Sequence, residues 1–291
     1  YFLGGSATWG NIRGMLAHNI PDLRIYEEGN YRSPRNDVWG ISDLNLLEEA
    51  GGVLRERAKT ARAPFMAFIQ TAGNHRPYTI PEDNRGFETK DVDAATLKAN
   101  GFSPPEEYNA LRFLDHSLGV FMDAARREAY FDNTIFVVFG DHGTTGGATH
   151  LLYGDLDLTS THVPFVIYAP ALLGAPRVVQ TVMSEADLMP TLASLAGVPY
   201  LNTTLGRDIF DAQFHDLYPH GRGRYAFTYT PFRVPPRLGL LDKDFYLNVE
   251  PDGRHALYLY RSGSPATDVK ERYPEKTEAM LRLCNGLHET A

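Results

Sequence analysis

An aspartate and a histidine stand side by side directly after a strongly apolar run, and their types and position suit them for chemistry. The run 134–139 reads TIFVVF, and Gly140-Asp141-His142-Gly143 follows it. In open α/β sheets, ligand sites collect at the carboxyl ends of strands, where glycines let the backbone approach a ligand. A carboxylate oxygen and an imidazole nitrogen suit zinc or manganese. The pair is therefore either part of a metal site or a polar turn in which Asp141 caps the next segment.

Amphipathic helices are predicted around this pair. Ser42 is suited to cap a helix that continues through Lys59. A second helix is predicted from Ser103, where Glu106 completes a capping box, to about Ala129. These helices supply apolar faces that can cover a sheet.

Three apolar runs predict strands that are buried on both faces. They occupy residues 64–69, 134–139 and 163–168, and a helix is predicted over residues 187–196. The alternation of strands and helices is typical of an α/β sheet with a helix layer.

The pattern changes to short alternating strands from about Tyr225. Pro251-Asp252-Gly253 is a hairpin signature between two of them, and a final helix is predicted from Pro274. Cys284 lies on the apolar stripe of that helix, which favours a packed thiol over a nucleophile.

This order of elements predicts an α/β fold. The expected architecture is a mixed, mostly parallel sheet flanked by helices, followed by a small antiparallel carboxy-terminal subdomain. We expect the catalytic domain to cover residues 1–224 and the subdomain to cover residues 225–291.

The composition excludes several classes of protein. A formal net charge of -8 over 291 residues argues against binding to nucleic acid through phosphate neutralisation, so an anionic ligand must be held by a local site. The single cysteine excludes an intramolecular disulfide and a cysteine-rich zinc site. No apolar run approaches the roughly 18 to 20 residues of a membrane span. The phosphate loop of nucleotide triphosphatases and the G-x-S-x-G elbow of serine hydrolases do not occur, which disfavours both classes.

Five ordered motifs resemble the sulfatase-like part of the alkaline phosphatase superfamily. Within it, the chain is most similar to the lipoteichoic acid synthase and phosphoglycerol transferase branch, and the resemblance covers roughly residues 2–210. The motifs are Gly4-Gly5 with the segment 9–13 (WGNIR), the segment 70–78 (QTAGNHRPY), the segment 139–143 (FGDHG), the segment 162–170 (HVPFVIYAP), and the segment 187–198 (DLMPTLASLAGV) with 205–210 (LGRDIF).

The resemblance implies a divalent metal bound by the Asp141 and His142 pair, together with an acidic residue and a Thr, Ser or modified Cys nucleophile. Manganese is the expected metal, with zinc, magnesium and calcium as alternatives. The metal charge would lower the pKa of the nucleophile and stabilise the developing negative charge on the transferred group. A covalent phospho- or sulfo-enzyme intermediate is then expected.

The resemblance also assigns roles to five other side chains. His75 is expected to contact the substrate phosphate or the leaving group, and the alternative is a loop histidine that bonds nearby backbone. Trp9, Asn11 and Arg13 are expected to line a glycerol-phosphate pocket, Arg13 as a forked donor and Trp9 as a flat wall. His162 resembles a histidine that precedes a strand in this branch and is a further catalytic candidate.

The family's first strand, with its acidic ligand and nucleophile, has no counterpart ahead of Gly4-Gly5, so we expect the isolated chain to bind metal weakly and to turn over poorly. The leading hypothesis is the extracytoplasmic catalytic part of a membrane-anchored bacterial phospho-group transferase that acts on an anionic phospholipid or glycan headgroup. A sulfatase or other phosphoester hydrolase is the alternative. A third hypothesis is a non-catalytic module that binds a headgroup or glycan.

Overall fold

A computed structural model describes residues 1–143, 153–156, 158–211, 225–230, 236–262 and 266–290. The chain divides by its internal contacts into two units, Tyr1–Thr134 and Ile135–Ala291. The predicted start of the carboxy-terminal subdomain, residue 225, lies inside the second unit and just ahead of a strand that begins at Ala226. The subdomain boundary therefore stays a prediction. Among the described residues, no helix combines the length and the apolar character needed to cross a bilayer.

The first unit contains four α-helices. They are α1 (Ile12–Asn19), α2 (Asp43–Thr60), α3 (Ala94–Ala99) and α4 (Pro105–Ala125). The predicted cap of α2 is confirmed, since the Ser42 hydroxyl accepts the Asn45 amide at 3.2 Å. The predicted capping box at Ser103 is wrong, because α4 begins later, at Pro105, with Pro104 as the cap residue. A proline in the first turn loses no intrahelical bond, which explains the shift.

The sheet of the first unit consists of two short parallel strands, β1 (Phe2–Leu3) and β2 (Ile69–Gln70). Phe2 is buried with Leu46 and Ala50 of α2, and this cluster forms the core beneath the strand ends. The predicted buried strand 64–69 is largely wrong, since only Ile69 pairs with β1 and the Phe65 and Met66 side chains are exposed.

The second unit begins with an antiparallel pair, β3 (Phe136–Phe139) and β4 (Phe165–Tyr168), followed by the helices α5 (Pro170–Leu173) and α6 (Leu188–Leu195). Both strands were predicted as apolar and buried on both faces. They are strands, but Val138 and Val166 are exposed, so the prediction of two covered faces is wrong for these strands. Of the two strand pairs described ahead of residue 225, one is parallel and one antiparallel.

The end of the chain is a four-stranded antiparallel sheet covered by a helix. The strands β5 (Ala226–Tyr229), β6 (Leu238–Leu241), β7 (Tyr246–Val249) and β8 (His255–Tyr258) pair in chain order, and α7 (Pro274–Thr290) packs on them. The predicted hairpin and final helix are confirmed. Cys284 is fully buried in this core, and burial raises the pKa of its thiol to about 12, as expected of a packed thiol. The predicted α/β fold with an antiparallel carboxy-terminal part is confirmed.

Candidate functional site

Two loops of the first unit leave the same edge of its sheet. Because β1 and β2 are parallel, with Leu3 opposite Gln70, the segments that follow both strands emerge side by side. The first of them carries Trp9, Asn11 and Arg13, and the second carries His75. The structure therefore brings together predicted residues from two distant parts of the sequence.

A third segment, residues 36–43, lies against both loops. The Ile41 amide donates to the Gly4 carbonyl at 3.1 Å. A Cβ on Gly40 would stand 2.0 Å from the Gly4 oxygen, and one on Gly5 would stand 2.6 Å from the Trp39 oxygen. Gly40 also has a φ of +109°, which an L side chain rarely adopts. These glycines let the backbone of the segment approach the end of β1.

Trp39 connects the two loops, and sequence reasoning missed it. Its ring packs on the His75 imidazole with centroids 4.4 Å apart, and it meets Trp9 edge-on at 6.2 Å. Its indole nitrogen donates to the Arg76 carbonyl at 2.7 Å. Trp9 is 64% exposed and presents a flat surface to solvent. The one available sequence signal was that Trp39 is one of only two tryptophans in the chain, the other being Trp9.

Arg13 is tied to a buried carboxylate. Glu27 is 8% exposed and pairs with the guanidinium of Arg13, while its second oxygen accepts the Ala7 amide at 2.8 Å. A buried carboxylate is stable only when it is paired and hydrogen-bonded, and Glu27 satisfies both conditions. Arg13 itself is half exposed. Because a guanidinium has five donors, the pairing leaves donors that can reach an anion.

Asn11 lies at the start of α1, on the same loop as Trp9. Its backbone is left-handed, with a φ of 56°, and its side chain makes no capping hydrogen bond to the helix. The side-chain oxygen would be 2.4 Å from a Cβ on Gly14. The role of Asn11 in the pocket stays a prediction.

The loop that carries His75 is held by Asp43, the first residue of α2. The Asp43 carboxylate accepts the Ala72 amide at 2.9 Å and the Gly73 amide at 3.1 Å. Burial raises the pKa of Asp43, the two amide bonds oppose the rise, and the His75 imidazole also opposes it. His75 itself is exposed, so its ring can meet a ligand from solvent.

Asp141 and His142 lie in the loop that follows β3 in the second unit, and both side chains are exposed. The Asp141 Oδ1 atom accepts the His142 amide at 2.9 Å. The His142 Nδ1 atom lies 2.8 Å from the Gly143 carbonyl. Since a carbonyl only accepts, this contact requires a proton on Nδ1, so a metal ligated by this ring would bind Nε2. Metal-binding histidines are usually oriented by such a contact.

The loop of Asp141 and His142 is packed against the segment that ends at His162. The Gly143 amide donates to the Ser160 carbonyl at 2.8 Å, and a Cβ on Gly143 would stand 1.8 Å from the Thr159 oxygen. The His162 carbonyl is also beside Gly143, while its exposed ring contacts Tyr153 at 5.8 Å. His162 is therefore near the loop through its backbone.

Glu185 is a second residue that sequence reasoning missed. Desolvation raises the pKa of its carboxyl, the negative charge of Asp141 raises it further, and the His142 imidazole opposes the rise. Its segment is fixed by Asp187, which accepts the Ser184 amide at 2.9 Å and forms a buried ion pair with Arg207 at 3.1 Å. The negative charge of Glu185 adds to the attraction of this loop for a cation.

The donor types of the second unit fit a divalent metal. One carboxylate and one imidazole are the ligands that manganese and zinc accept. Among the described residues, no group of three or more His, Cys, Asp or Glu side chains is arranged to hold a metal ion. Asp141 and His142 thus supply two donors, fewer than the four ligands that are usual for zinc.

A sulfatase family model matches residues 5–198, which include every predicted site residue. The chain belongs to the sulfatase family. It is 24% identical over 216 residues to a lipoteichoic acid synthase of Staphylococcus saprophyticus, a match that covers 70% of this chain and 31% of the relative. The chain thus spans about a third of the length of this curated relative. These matches group it with phosphoester-group transferases and hydrolases.

Solved structures share the fold of the chain. A protein of the alkaline phosphatase superfamily from Vibrio parahaemolyticus superimposes with a TM-score of 0.74 at 26% identity, covering 99% of this chain and 64% of that one. The lipoteichoic acid synthase LtaP from Listeria monocytogenes superimposes with a TM-score of 0.69 at 18% identity, covering 99% and 68%. The predicted family and fold are thereby confirmed.

Proposed function

We propose that this chain carries the headgroup-binding loops and two metal ligands of a metal-dependent phospho-group transferase of the phosphoglycerol transferase type. The cluster of Trp9, Trp39 and His75 beside the end of β1 is the observation that carries the proposal. It combines a flat exposed ring, which suits the carbon face of a polyol, with an imidazole that can donate to a phosphate. Arg13, on the same loop as Trp9, adds a forked donor for the phosphate oxygens.

In the second unit, Asp141 and His142 would hold the metal, and manganese is the ion that we favour. A bound divalent ion would supply Lewis-acid stabilisation of charge on the transferred group. The contact of the His142 Nδ1 atom with Gly143 orients the imidazole ring, and Glu185 adds negative charge near the pair. We assign the substrate to an anionic phospholipid or glycan headgroup and the reaction to the extracytoplasmic face of a bacterial membrane. The similarity to a lipoteichoic acid synthase supports both assignments.

Tryptophan fluorescence tests headgroup binding directly, because both tryptophans of the chain lie in the proposed pocket. We expect sn-glycerol 1-phosphate to change the emission saturably, and Arg13→Ala or His75→Ala to weaken binding about tenfold, the loss of one charge-assisted bond. Arg62→Ala, which alters an exposed arginine outside these loops, is the matched control. An unchanged affinity in Arg13→Ala and His75→Ala would contradict the assignment. Tighter binding of inorganic sulfate than of the phosphate ester would favour a sulfatase instead.

Calorimetric titration with manganese tests the metal ligands. We expect weak binding that is abolished when Asp141 and His142 are both replaced by alanine. The matched control replaces Asp252, at the exposed turn between β7 and β8, and His255, the half-buried first residue of β8. Binding that survives the first double substitution would refute the assignment. Headgroup binding that needs no metal, in a chain that binds none, would favour a non-catalytic binding module.

A further inference from the structure

Asp43 is a buried carboxylate whose position at the first turn of α2 is not needed to cap that helix. The cap is made by Ser42, which accepts the Asn45 amide. Asp43 is only 4% exposed, and its oxygens point out of the helix to the loop after β2. Burying a carboxylate is costly unless hydrogen bonds compensate, and the compensation here comes from the amides of Ala72 and Gly73.

The contact with Gly73 is close enough to restrict the sequence. A Cβ at Gly73 would stand 2.5 Å from the Asp43 Oδ2 atom, so a side chain there would displace the carboxylate or the loop. Two residues later the chain reaches His75, whose amide donates back to the Ala72 carbonyl at 3.1 Å. The backbone turn that carries the imidazole therefore starts at the two amides that Asp43 holds.

Further along, the same loop is held by the segment that precedes Asp43. The Trp39 indole donates to the Arg76 carbonyl, and the side-chain Nδ2 atom of Asn36 donates to the Thr79 carbonyl at 2.9 Å. His75 thus lies between anchors on both sides, and Asp43 is the anchor that is buried. Water competes less for a buried hydrogen bond than for one at the surface. The bonds to Asp43 therefore restrain the loop most strongly.

We propose that Asp43 is a positioning residue that fixes the loop of residues 72–75 and thereby holds the His75 imidazole against Trp39 for contact with a phosphate group. The inference rests on the proposed role of His75 in headgroup binding. Asp43 does not touch the ligand and acts only through the two amides.

Hydrogen exchange of individual amides, measured by NMR on the chain alone, tests the positioning without any ligand. In Asp43→Ala we expect the Ala72 and Gly73 amides to exchange at least tenfold faster than in the wild type. Asp43→Asn keeps one acceptor oxygen but turns an amide group towards Gly73, so an intermediate rate is expected. Because Asp43→Asn is nearly isosteric, it keeps the test valid if the alanine variant does not fold. Wild-type exchange at both amides in Asp43→Asn would overturn the inference.

Glu49 provides a matched control on the same helix. Its Oε1 atom accepts the Arg32 and Ser33 amides, each at 2.9 Å, so it also holds a loop by two amides, but a different loop. We expect Glu49→Gln to leave exchange at Ala72 and Gly73 and the affinity for sn-glycerol 1-phosphate within twofold of the wild type. Asp43→Asn should lower that affinity at least fivefold. An equal loss of affinity in both variants would mean that only general stability is affected, and would overturn the inference.

His75→Ala separates the two proposals. If His75→Ala binds sn-glycerol 1-phosphate as the wild type does, the proposed role of His75 fails, whereas the exchange rates at Ala72 and Gly73 still decide whether Asp43 holds the loop. If His75→Ala loses affinity and Asp43→Asn does not, the proposed role of His75 survives and the role of Asp43 is overturned.

Discussion

The two strand-end regions of this chain hold their functional side chains by different means. In the first unit, the loops of Arg13 and His75 are tied to the buried carboxylates Glu27 and Asp43, which lie outside those loops. In the second unit, the Asp141 carboxylate accepts the neighbouring His142 amide and the His142 Nδ1 atom contacts the Gly143 carbonyl, and the close packing of Gly143 fixes this loop to its surroundings. Remote anchors restrain the first region, and local contacts shape the second.

The difference agrees with what each region is proposed to bind. A small headgroup makes few contacts with the protein. If the pocket is not already ordered, the free energy of ordering it weakens binding. A divalent ion binds its ligands strongly and can itself complete the geometry of a site. We therefore interpret the first region as pre-organised and the second as a region that its metal orders.

The largest effect is expected at the ion pair that supports the second region. Asp187→Ala removes the carboxylate that pairs with the buried guanidinium of Arg207, and breaking such a pair costs about 3 to 5 kcal/mol. Urea denaturation should show this loss of unfolding free energy. The control Asp252→Ala removes an exposed pair with Arg254 and should cost far less unfolding free energy, because solvent screens that pair. An equal loss of unfolding free energy in Asp187→Ala and Asp252→Ala would mean that the pair of Asp187 with Arg207 does not stabilise this region.

A smaller loss is expected from Gly143→Ala, which tests whether close packing holds the metal loop. The added Cβ would meet the Thr159 oxygen at 1.8 Å, and overpacking of this kind costs about 1 to 3 kcal/mol. Thermal unfolding measures the change, and manganese affinity should fall with it. Gly52→Ala in α2, where no atom lies within 4 Å of the new Cβ, should instead stabilise the chain. Unchanged stability and metal affinity in Gly143→Ala would refute the packing argument.

The cost of burying an ionisable group without a counter-charge can be measured at Cys284. Its pKa rises from about 9 to about 12 on folding, so the stability it contributes is complete below pH 9 and is lost as the pH rises towards 12. Between pH 8 and pH 10, the wild type should lose roughly 1 kcal/mol more unfolding free energy than Cys284→Ala. Parallel pH profiles of the two proteins would show that the thiol does not titrate in this way.

The smallest effect is expected from Trp39→Phe, which tests the link between the two loops of the first unit. Phenylalanine keeps a ring beside His75 but loses the donor to the Arg76 carbonyl, a change worth about 1 kcal/mol. Chemical denaturation should detect this loss. Affinity for sn-glycerol 1-phosphate should fall by less than it does in His75→Ala. A larger loss of affinity in Trp39→Phe than in His75→Ala would mean that Trp39 contacts the ligand itself.

Several features that depend on local sequence were predicted correctly, although the capping box at Ser103 was not. Ser42 caps α2 through an amide three residues away, and the turn at residues 251–253 joins two neighbouring strands, so short segments contain all the information needed. The Asp141 and His142 pair was also visible, because a glycine-flanked polar pair after an apolar run is a local pattern. The family resemblance supplied Trp9, Arg13 and His75.

Features that depend on distant contacts were missed. Trp39 reaches Arg76, 37 residues away, and Asp43 reaches Ala72, 29 residues away, so neither role can be seen in a window of sequence. Asp43 resembles an ordinary acidic residue in the first turn of a helix. The length of the strand predicted over residues 64–69 was overestimated. Apolar residues predict burial, whereas the length of a strand depends on the strand it pairs with. Here β1 pairs with only two residues.

Hydrogen–deuterium exchange tests the contrast between the two regions most directly. It is measured on three samples: the chain alone, the chain with saturating manganese, and the chain with sn-glycerol 1-phosphate. The account predicts that residues 71–76 are already protected in the chain alone and change less than twofold with the phosphate ester. It predicts that exchange at residues 140–143 slows at least tenfold with manganese. Rapid exchange at residues 71–76 before the ligand is added, or no response of residues 140–143 to the metal, would contradict it.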